Sequence, residues 1–353
     1  MKQIKIAFLG LLEGYGSVDE LWIYRILKKH YDVLLMDKPE EADYLICGVF
    51  TVPYSYCGYD NKIIIFFTGE NYIPDLNFVD YSISPYPISL YDRCYRLPVF
   101  IDQFGHCQQL KAKNRDYSLD ILKQKKYFAN FISSHESEDG LRGDFFNELS
   151  KYKRVESPGS YLNNMDGFNV AWTDAGKTNF QKQCKFTLCF ESTVHKGFIT
   201  EKITDAFFAD TIPVYCGSPD IVEFFNEKAF IYCRGRQDFD RVIKKIIELD
   251  TDDEKYIEML RQPIFNNADC VDEILDGFEQ YIRNIFDQSL INAYRRSRVY
   301  APKTHESYLV SLKQKTEKTN EDICHSSILK KLGRSVKRLI VKTYNTIKKG
   351  SFL

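Results

Sequence analysis

No two of the ten cysteines, scattered from Cys47 to Cys324, stand at CxxC spacing. The adjacent pairs His106-Cys107 and Cys324-His325 have no partners at zinc spacing, so no structural metal is expected. Cys47, Cys189 and Cys216 lie inside apolar runs, where a reduced thiol behaves as a small hydrophobe. That usage points to a reducing compartment. Also missing is any run near the ~18 apolar residues needed to span a bilayer. The opening MKQIKIAFLGLLEGYG is broken by Lys5, stops at Glu13 and lacks a small-residue cleavage site, so it is not read as a signal peptide. An excess of charge of either sign is absent too. The net charge of −1 excludes a uniformly basic nucleic-acid binder, though not a local patch. Neither a P-loop nor GxGxxG occurs. Gly10, Gly14 and Gly16 instead form a GxxxGxG turn after the first apolar run.

What is present fits a two-domain α/β protein. A chain of 353 residues is long enough for two domains. Short apolar runs read as buried strands: Lys5–Leu9, Asp32–Met36, Tyr44–Val49, Lys62–Phe67, Tyr81–Ser84, Phe128–Ile132, Phe186–Phe190, Ile212–Cys216 and Phe230–Cys233. The polar, basic stretch from Lys111 to Lys126 is the natural crossing between domains.

The stretch Cys184–Gly217 organises the rest. A strand over Phe186–Phe190 leads through a polar loop to Thr200, which has the chemistry of a helix cap. Ile203, Ala206 and Phe207 then recur at helical spacing, and a second strand follows. This is a β-α-β unit, whose strands should be parallel. Glu191, Lys196, Glu201 and Lys202 fall at its carboxyl edge, where open α/β sheets bind ligands. A helix start suits a phosphate, Lys202 adds a full positive charge, and Glu201 can accept sugar hydroxyls. The plain alternative is a capped helix with a solvated Glu-Lys pair. Glu70, just past Lys62–Phe67, is a candidate general base, or a solvated turn residue. Arg142, heading a helix with Phe145, Phe146 and Leu149, could clamp a diphosphate, or lie on the surface. Asp238-Phe-Asp240 has DxD form but reads better as a helix start, where acids complement the dipole. Tyr161–Asn164 and Trp172 lie in a loop-rich connection.

Between Ile328 and Lys349 there are eight Lys/Arg and no acid, with Ile328, Leu332, Val336, Leu339, Ile340 and Ile347 at helical spacing. This is the pattern of an interfacial helix on anionic lipid, with docking on the protein or nucleic-acid binding as alternatives.

With these residues assembled, the chain resembles the α-1,3/4-fucosyltransferases of glycosyltransferase family ten, of the bacterial soluble type. The resemblance rests on Phe67-Thr-Gly-Glu-Asn71, on Arg142 with Phe146, Leu149, Ser150 and Tyr152, on Phe190-Glu-Ser192 to Thr200-Glu-Lys202, and on Asp205-Ala-Phe207, Thr211-Ile-Pro-Val-Tyr215 and Gly217-Ser-Pro219. It implies a GT-B architecture of two Rossmann-like domains facing a cleft: an acceptor domain over 1–123, a GDP-fucose domain over 124–300, and a C-terminal extension over 301–353 carrying the basic helix. It implies Glu70 as base, Arg142 and Lys202 on the diphosphate, and Glu201 on the ribose. Glu191, Ser192 and Phe198 are expected to line the donor. Ser192 stands where the family usually has Asn, and Phe198 where it usually has Tyr. The implied reaction moves fucose, with inversion and without a metal or other cofactor, to a GlcNAc or glucose hydroxyl of a Lewis-type or LacNAc oligosaccharide. The linkage would be α-1,3 or α-1,4. Expected partners are GDP-fucose, the acceptor and the inner, cytoplasmic membrane face through 328–349, but no nucleic acid; a homo-oligomer stays open. The rival readings are a transferase using another nucleotide sugar, and an inactive membrane-attached glycan-binding protein of the same fold.

Overall fold

The computed structural model describes residues 1–11, 17–50, 55–101, 106–168, 170, 174–297, 303–312, 314–315 and 318. Gly14, Gly16, Trp172, Cys324-His325 and the basic segment 328–349 lie outside them.

Predominantly apolar runs of four to seven residues form the inner strands of two parallel sheets. The first sheet contains β1 (Gln3–Leu9), β2 (Asp32–Leu35), β3 (Tyr44–Cys47), β4 (Ile63–Phe67), β5 (Tyr81–Ser84) and β6 (Cys94–Arg96), in the order β2-β1-β3-β4-β5-β6. The second contains β7 (Tyr127–Asn130), β8 (Val155–Glu156), β9 (Cys184–Phe190), β10 (Ile212–Cys216) and β11 (Ile231–Tyr232), in the order β11-β10-β9-β7-β8. All pairings are parallel, so both faces of each sheet need covering.

Helices provide that cover. On the first sheet α1 (Trp22–His30) lays Ile23 and Leu27 against one face. On the second sheet α2 (His106–Ala112) and α5 (Glu201–Phe208) pack on one face, and α3 (Leu141–Ser150), α7 (Phe239–Thr251) and α8 (Asp253–Leu260) on the other. The helices α4 (Asp174–Gln181) and α6 (Ile221–Phe224) complete this lobe. The chain then crosses back. In α9 (Cys270–Phe286), Phe278, Tyr281, Ile282, Ile285 and Phe286 join the core of the first sheet. A short α10 (Leu290–Ala293) follows, although the sequence reading placed all of 124–300 with the second domain.

The polar stretch at 111–126 lies at the foot of the second sheet. There Lys113 Nζ donates to the Phe208 carbonyl (2.7 Å) and Lys125 Nζ to the Asp210 carbonyl (2.6 Å), satisfying the carboxyl end of α5. Both lysines oppose the negative end of that helix dipole. The described residues 303–312 are helical and anchor to the amino edge of the first sheet. Leu309 is buried there, Lys303 meets Asp60 (3.0 Å), and the Gly58 N–H donates to Glu306 (3.1 Å).

Candidate active site

The carboxyl edges of the two sheets meet. Gly197, in the loop between β9 and α5, has φ +98°, and a Cβ there would lie 2.7 Å from the Pro85 carbonyl and 3.0 Å from Tyr86 Cα. Only glycine allows this close approach between the lobes. Its N–H donates to Ser218 Oγ (2.9 Å) and Asp220 Oδ1 (3.1 Å). Asp220 is also ion-paired with Arg96 from the end of β6. The Phe100 N–H donates to the Ile199 carbonyl (3.0 Å). The first lobe therefore grips the loop that leads into α5.

Sequence reasoning gave Thr200 a capping hydroxyl. Its backbone does sit at the cap position of α5, but its side chain makes no cap hydrogen bond. The hydroxyl instead meets both oxygens of Glu191 (2.9 and 3.0 Å), and Glu191 Oε1 also accepts the Thr200 N–H (2.8 Å). Glu191 Oε2 lies 3.2 Å from Lys202 Nζ, and its side chain is wholly buried. Both oxygens are thus spent on protein partners, so Glu191 holds Thr200 and Lys202 rather than offering a free carboxylate. Gly217 makes room for it: a Cβ there would fall 2.5 Å from Glu191 Cγ.

Lys202 Nζ also donates to Thr200 Oγ1 (2.9 Å) and lies 3.7 Å from Glu201. Desolvation works against its charge, but Glu191 and Glu201 outweigh it and raise its pKa above the ordinary value. Glu201 is half-exposed at the first turn of α5. Desolvation would raise its pKa, yet Lys202 and Lys177 hold it below the ordinary carboxylate range. Lys177, on α4, escaped the sequence reading. Its Nζ pairs with Asp205 of α5 at 2.5 Å and adds a cation beside Glu201 and Lys202. It sits in a connection with no periodic signal.

Arg142 is buried, not on the surface. Its Nε donates to the Phe190 carbonyl (3.0 Å), and Nη1 to Ser133 Oγ (3.1 Å) and the His135 carbonyl (2.9 Å). These bonds tie the guanidinium to the end of β9, while Nη2 has no hydrogen bond among the described residues. Burial lowers its pKa, opposed by Glu191, Glu136 and Glu201, and an arginine so placed stays charged. Glu136 accepts the Gly143 N–H near the start of α3 (3.2 Å). The Ser192 carbonyl accepts the Glu138 N–H (3.0 Å) and Phe198 is buried, so the backbone of this loop is tied down as well.

Glu70 is exposed just beyond β4, and its N–H donates to Thr68 Oγ1 (2.9 Å). Two contacts link its surroundings to the second lobe. Asn71 accepts a hydrogen bond from Tyr86, whose backbone packs on Gly197. Glu70 also lines a hollow of about 170 Å³ with Val99, next to the Phe100 that bonds Ile199. The Asp238-Phe-Asp240 pair opens α7, with Asp238 held by Arg241 (2.8 Å). Among the described residues no three His, Cys, Asp or Glu converge as metal ligands.

Two parallel-sheet lobes, meeting at a helix start lined by cations, are the GT-B arrangement of glycosyltransferases. The comparisons with known proteins agree. The family model for glycosyltransferase family 10 (fucosyltransferase) C-term matches residues 121–262, and the one for the alpha-(1,3)-fucosyltransferase FucT N-terminal domain matches 6–102. The Helicobacter pylori alpha-(1,3)-fucosyltransferase FucT is 32% identical over 77% of this chain and 61% of its own length. The chain thus spans less than two thirds of the curated relatives it matches first. A crystal structure of an alpha1,3-fucosyltransferase is 28% identical, with a TM-score of 0.67 over 85% of this chain and 93% of that one. Another, with GDP-fucose, is 27% identical, with a TM-score of 0.65 over 84% and 94%. The chain belongs to glycosyltransferase family 10.

Proposed function

We propose that this chain is an α-1,3-fucosyltransferase that moves fucose from GDP-fucose to the 3-hydroxyl of an N-acetylglucosamine unit in an oligosaccharide. The observation that carries the reading is the linkage across the cleft. Glu70 shares a hollow with Val99, and the next residue, Phe100, bonds the chain one residue before the α5 cap. The strand end that carries this carboxylate is thereby connected to the loop that leads to Lys202. The binding of GDP-fucose by a relative of similar fold supports the donor.

The step is a single displacement. The acceptor oxygen attacks the anomeric carbon, Glu70 takes its proton, and the bond from that carbon to the β-phosphate oxygen breaks with inversion. Arg142, Lys202 and the start of α5 neutralise the charge that grows on GDP. Glu201 accepts the ribose hydroxyls. Glu191, with both oxygens engaged, acts by holding Lys202, while Ser192 and Phe198 shape the donor loop. No step draws on a metal or other cofactor.

No described helix is long and apolar enough to cross a membrane. The helix at 303–312 starts beside Gly58 and Asp60, at the edge of the first sheet opposite Glu70. A tail over 328–349 lying on the inner face of a membrane would leave the cleft facing the cytoplasm. Co-sedimentation of the full chain, against a chain cut after residue 318, with anionic vesicles tests this; equal pelleting of both defeats it. Mass spectrometry and linkage analysis of the product from GDP-fucose and N-acetyllactosamine test the reaction. Transfer from GDP-mannose or a UDP-sugar but not from GDP-fucose would replace the donor assignment.

A further inference from the structure

Cations and carboxylates crowd the start of α5: Arg142, Lys177 and Lys202 against Glu191, Glu201 and Asp205. The proposed donor chemistry uses Arg142, Lys202, Glu191 and Glu201. It leaves Lys177 and Asp205 without a task. Lys177 Nζ, from α4, meets Asp205 Oδ2 at 2.5 Å, and the two side chains are 19% and 9% exposed. A buried ion pair adds little net stability over apolar residues of similar volume, so the fold alone does not call for one here. Desolvation works against the charge of Lys177, but Asp205 and Glu201 outweigh it and raise its pKa. Lys177 is therefore an ammonium throughout the neutral range.

The position of Asp205 supplies the reason. It stands three residues after Lys202 on α5, a spacing at which side chains meet on one helix face. A carboxylate so deeply buried draws any cation within reach, because an unpaired buried charge is costly. By that spacing Lys202 is within reach. Its ammonium turns instead toward the helix start, to Thr200 Oγ1 (2.9 Å) and Glu191 Oε2 (3.2 Å). Helical side chains lean toward the N-terminus, and that lean carries Lys202 to the free N–H groups that suit a phosphate. Lys177, arriving from a separate helix, satisfies Asp205 and so removes the competitor for Lys202.

We infer, on the basis of the GDP-fucose reading, that Lys177 is a positioning residue for the diphosphate: by neutralising Asp205 it leaves Lys202 free to face the nucleotide. Without it the edge gains a negative charge, and Lys202 is drawn along the helix, away from the phosphates. Truncating one member of a buried charge pair at an interface commonly weakens binding by more than about ten-fold. Lys177 acts through Lys202 rather than on the nucleotide itself, so a loss of about ten-fold in GDP affinity is expected.

Titration calorimetry of the full chain with GDP and with GMP, which lacks the β-phosphate, tests this. Lys177→Met should weaken GDP about ten-fold and GMP by less than about three-fold. Adding Asp205→Asn to that variant removes the charge that Lys177 cancels, and should bring GDP affinity back to within about two-fold of wild type. In a chain that already carries Lys202→Met, Lys177→Met should add less than about two-fold. Equal losses for GDP and GMP that Asp205→Asn does not repair would mean that the pair only fastens α4 to α5, and would overturn the proposal. Fully additive losses from Lys177→Met and Lys202→Met would overturn it as well. Should Lys177→Met fail to fold, Asp205→Asn alone decides: it should bind GDP at least as tightly as wild type, and a ten-fold loss, on the scale of a broken charge pair, defeats the idea. If wild type binds UDP in preference to GDP, the donor assignment fails by itself, and the same series with UDP and UMP still decides what Lys177 does.

Discussion

The two edges of the cleft are built differently. On the second lobe nearly every functional group is tied down: Glu191 is wholly buried with both oxygens occupied, Arg142 is fastened to the end of β9, and Lys202 rests on Thr200 and Glu191. On the first lobe Glu70 is exposed, its backbone N–H donating to Thr68 Oγ1, and it stands by a hollow whose wall includes a partly exposed Phe50. Fixed dipoles and cations stabilise developing charge best when they need not reorganise. A base has to meet acceptors that arrive from solvent. The contrast therefore separates an edge built for one leaving group from an edge built to receive and sort incoming sugars.

The sharpest way to break this comparison is to remove one group from each edge. Glu70→Gln keeps the shape and loses the base, and turnover should fall by about 10²–10⁴-fold, with GDP-fucose affinity within two-fold in titration calorimetry. Lys202→Met should cost on the order of 10²-fold in kcat and also weaken GDP binding. If Glu70→Gln weakened GDP as much as Lys202→Met does, the two edges would not divide the work.

The same contrast governs what the sequence could reveal. The inner strands β4, β9 and β10 were legible because their short runs are almost wholly apolar, as burial on both faces demands. The edge strands β6 and β8 were not, being two or three residues long, with β6 only half-buried. The start of α5 was legible as a cation-bearing helix opening after a strand. What Thr200 and Glu191 do there was not, because the Glu191 carboxylate reaches nine residues along the chain to the Thr200 N–H. Arg142 was found by position as a diphosphate clamp, but a surface placement could not be set aside, since its burial depends on the loop at 133–135 folding over it. Lys177, Arg96 and Val99 carried no local signal at all. Their roles arise only where α4 meets α5, or where one lobe meets the other. The return of α9 to the first sheet was hidden for the same reason: its amphipathic pattern says that one face is covered, not which sheet covers it.

The interlobe grip is the next test in size. Arg96 reaches from the exposed side to Asp220, whose side chain is 2% exposed and which also accepts the Gly197 N–H. Arg96→Ala leaves that carboxylate without its cation. A hydrogen bond to a charged group is worth about 1.5–3 kcal/mol, so a loss of stability of that order is expected in chemical denaturation. The donor KM should rise several-fold as the loop at 191–200 loosens, while Glu70-dependent chemistry at saturating donor is largely kept. An unchanged donor KM would mean that the second edge holds its shape without help from the first.

The smallest expected effect concerns pH. Lys202 and Lys177 hold Glu201 below its ordinary 4.5. A carboxylate depressed in the folded state contributes stability above its unfolded pKa, and that contribution is lost as pH falls through the lowered folded value. Glu201→Gln should therefore be less stable than wild type at neutral pH and converge with it as the solution is acidified below about 4. Because the side chain is 41% exposed, solvent screens the interaction. Raising the salt concentration should narrow the neutral-pH gap between wild type and variant. Lys202 behaves oppositely. Its raised pKa keeps it charged past its ordinary range, so the alkaline side of the activity profile should not carry its titration. Thermal melts of wild type and Glu201→Gln across pH 3 to 8 separate these contributions. A gap that widened on acidification would mean that Glu201 is not held by the two lysines, and that the order at this edge comes from Glu191 alone.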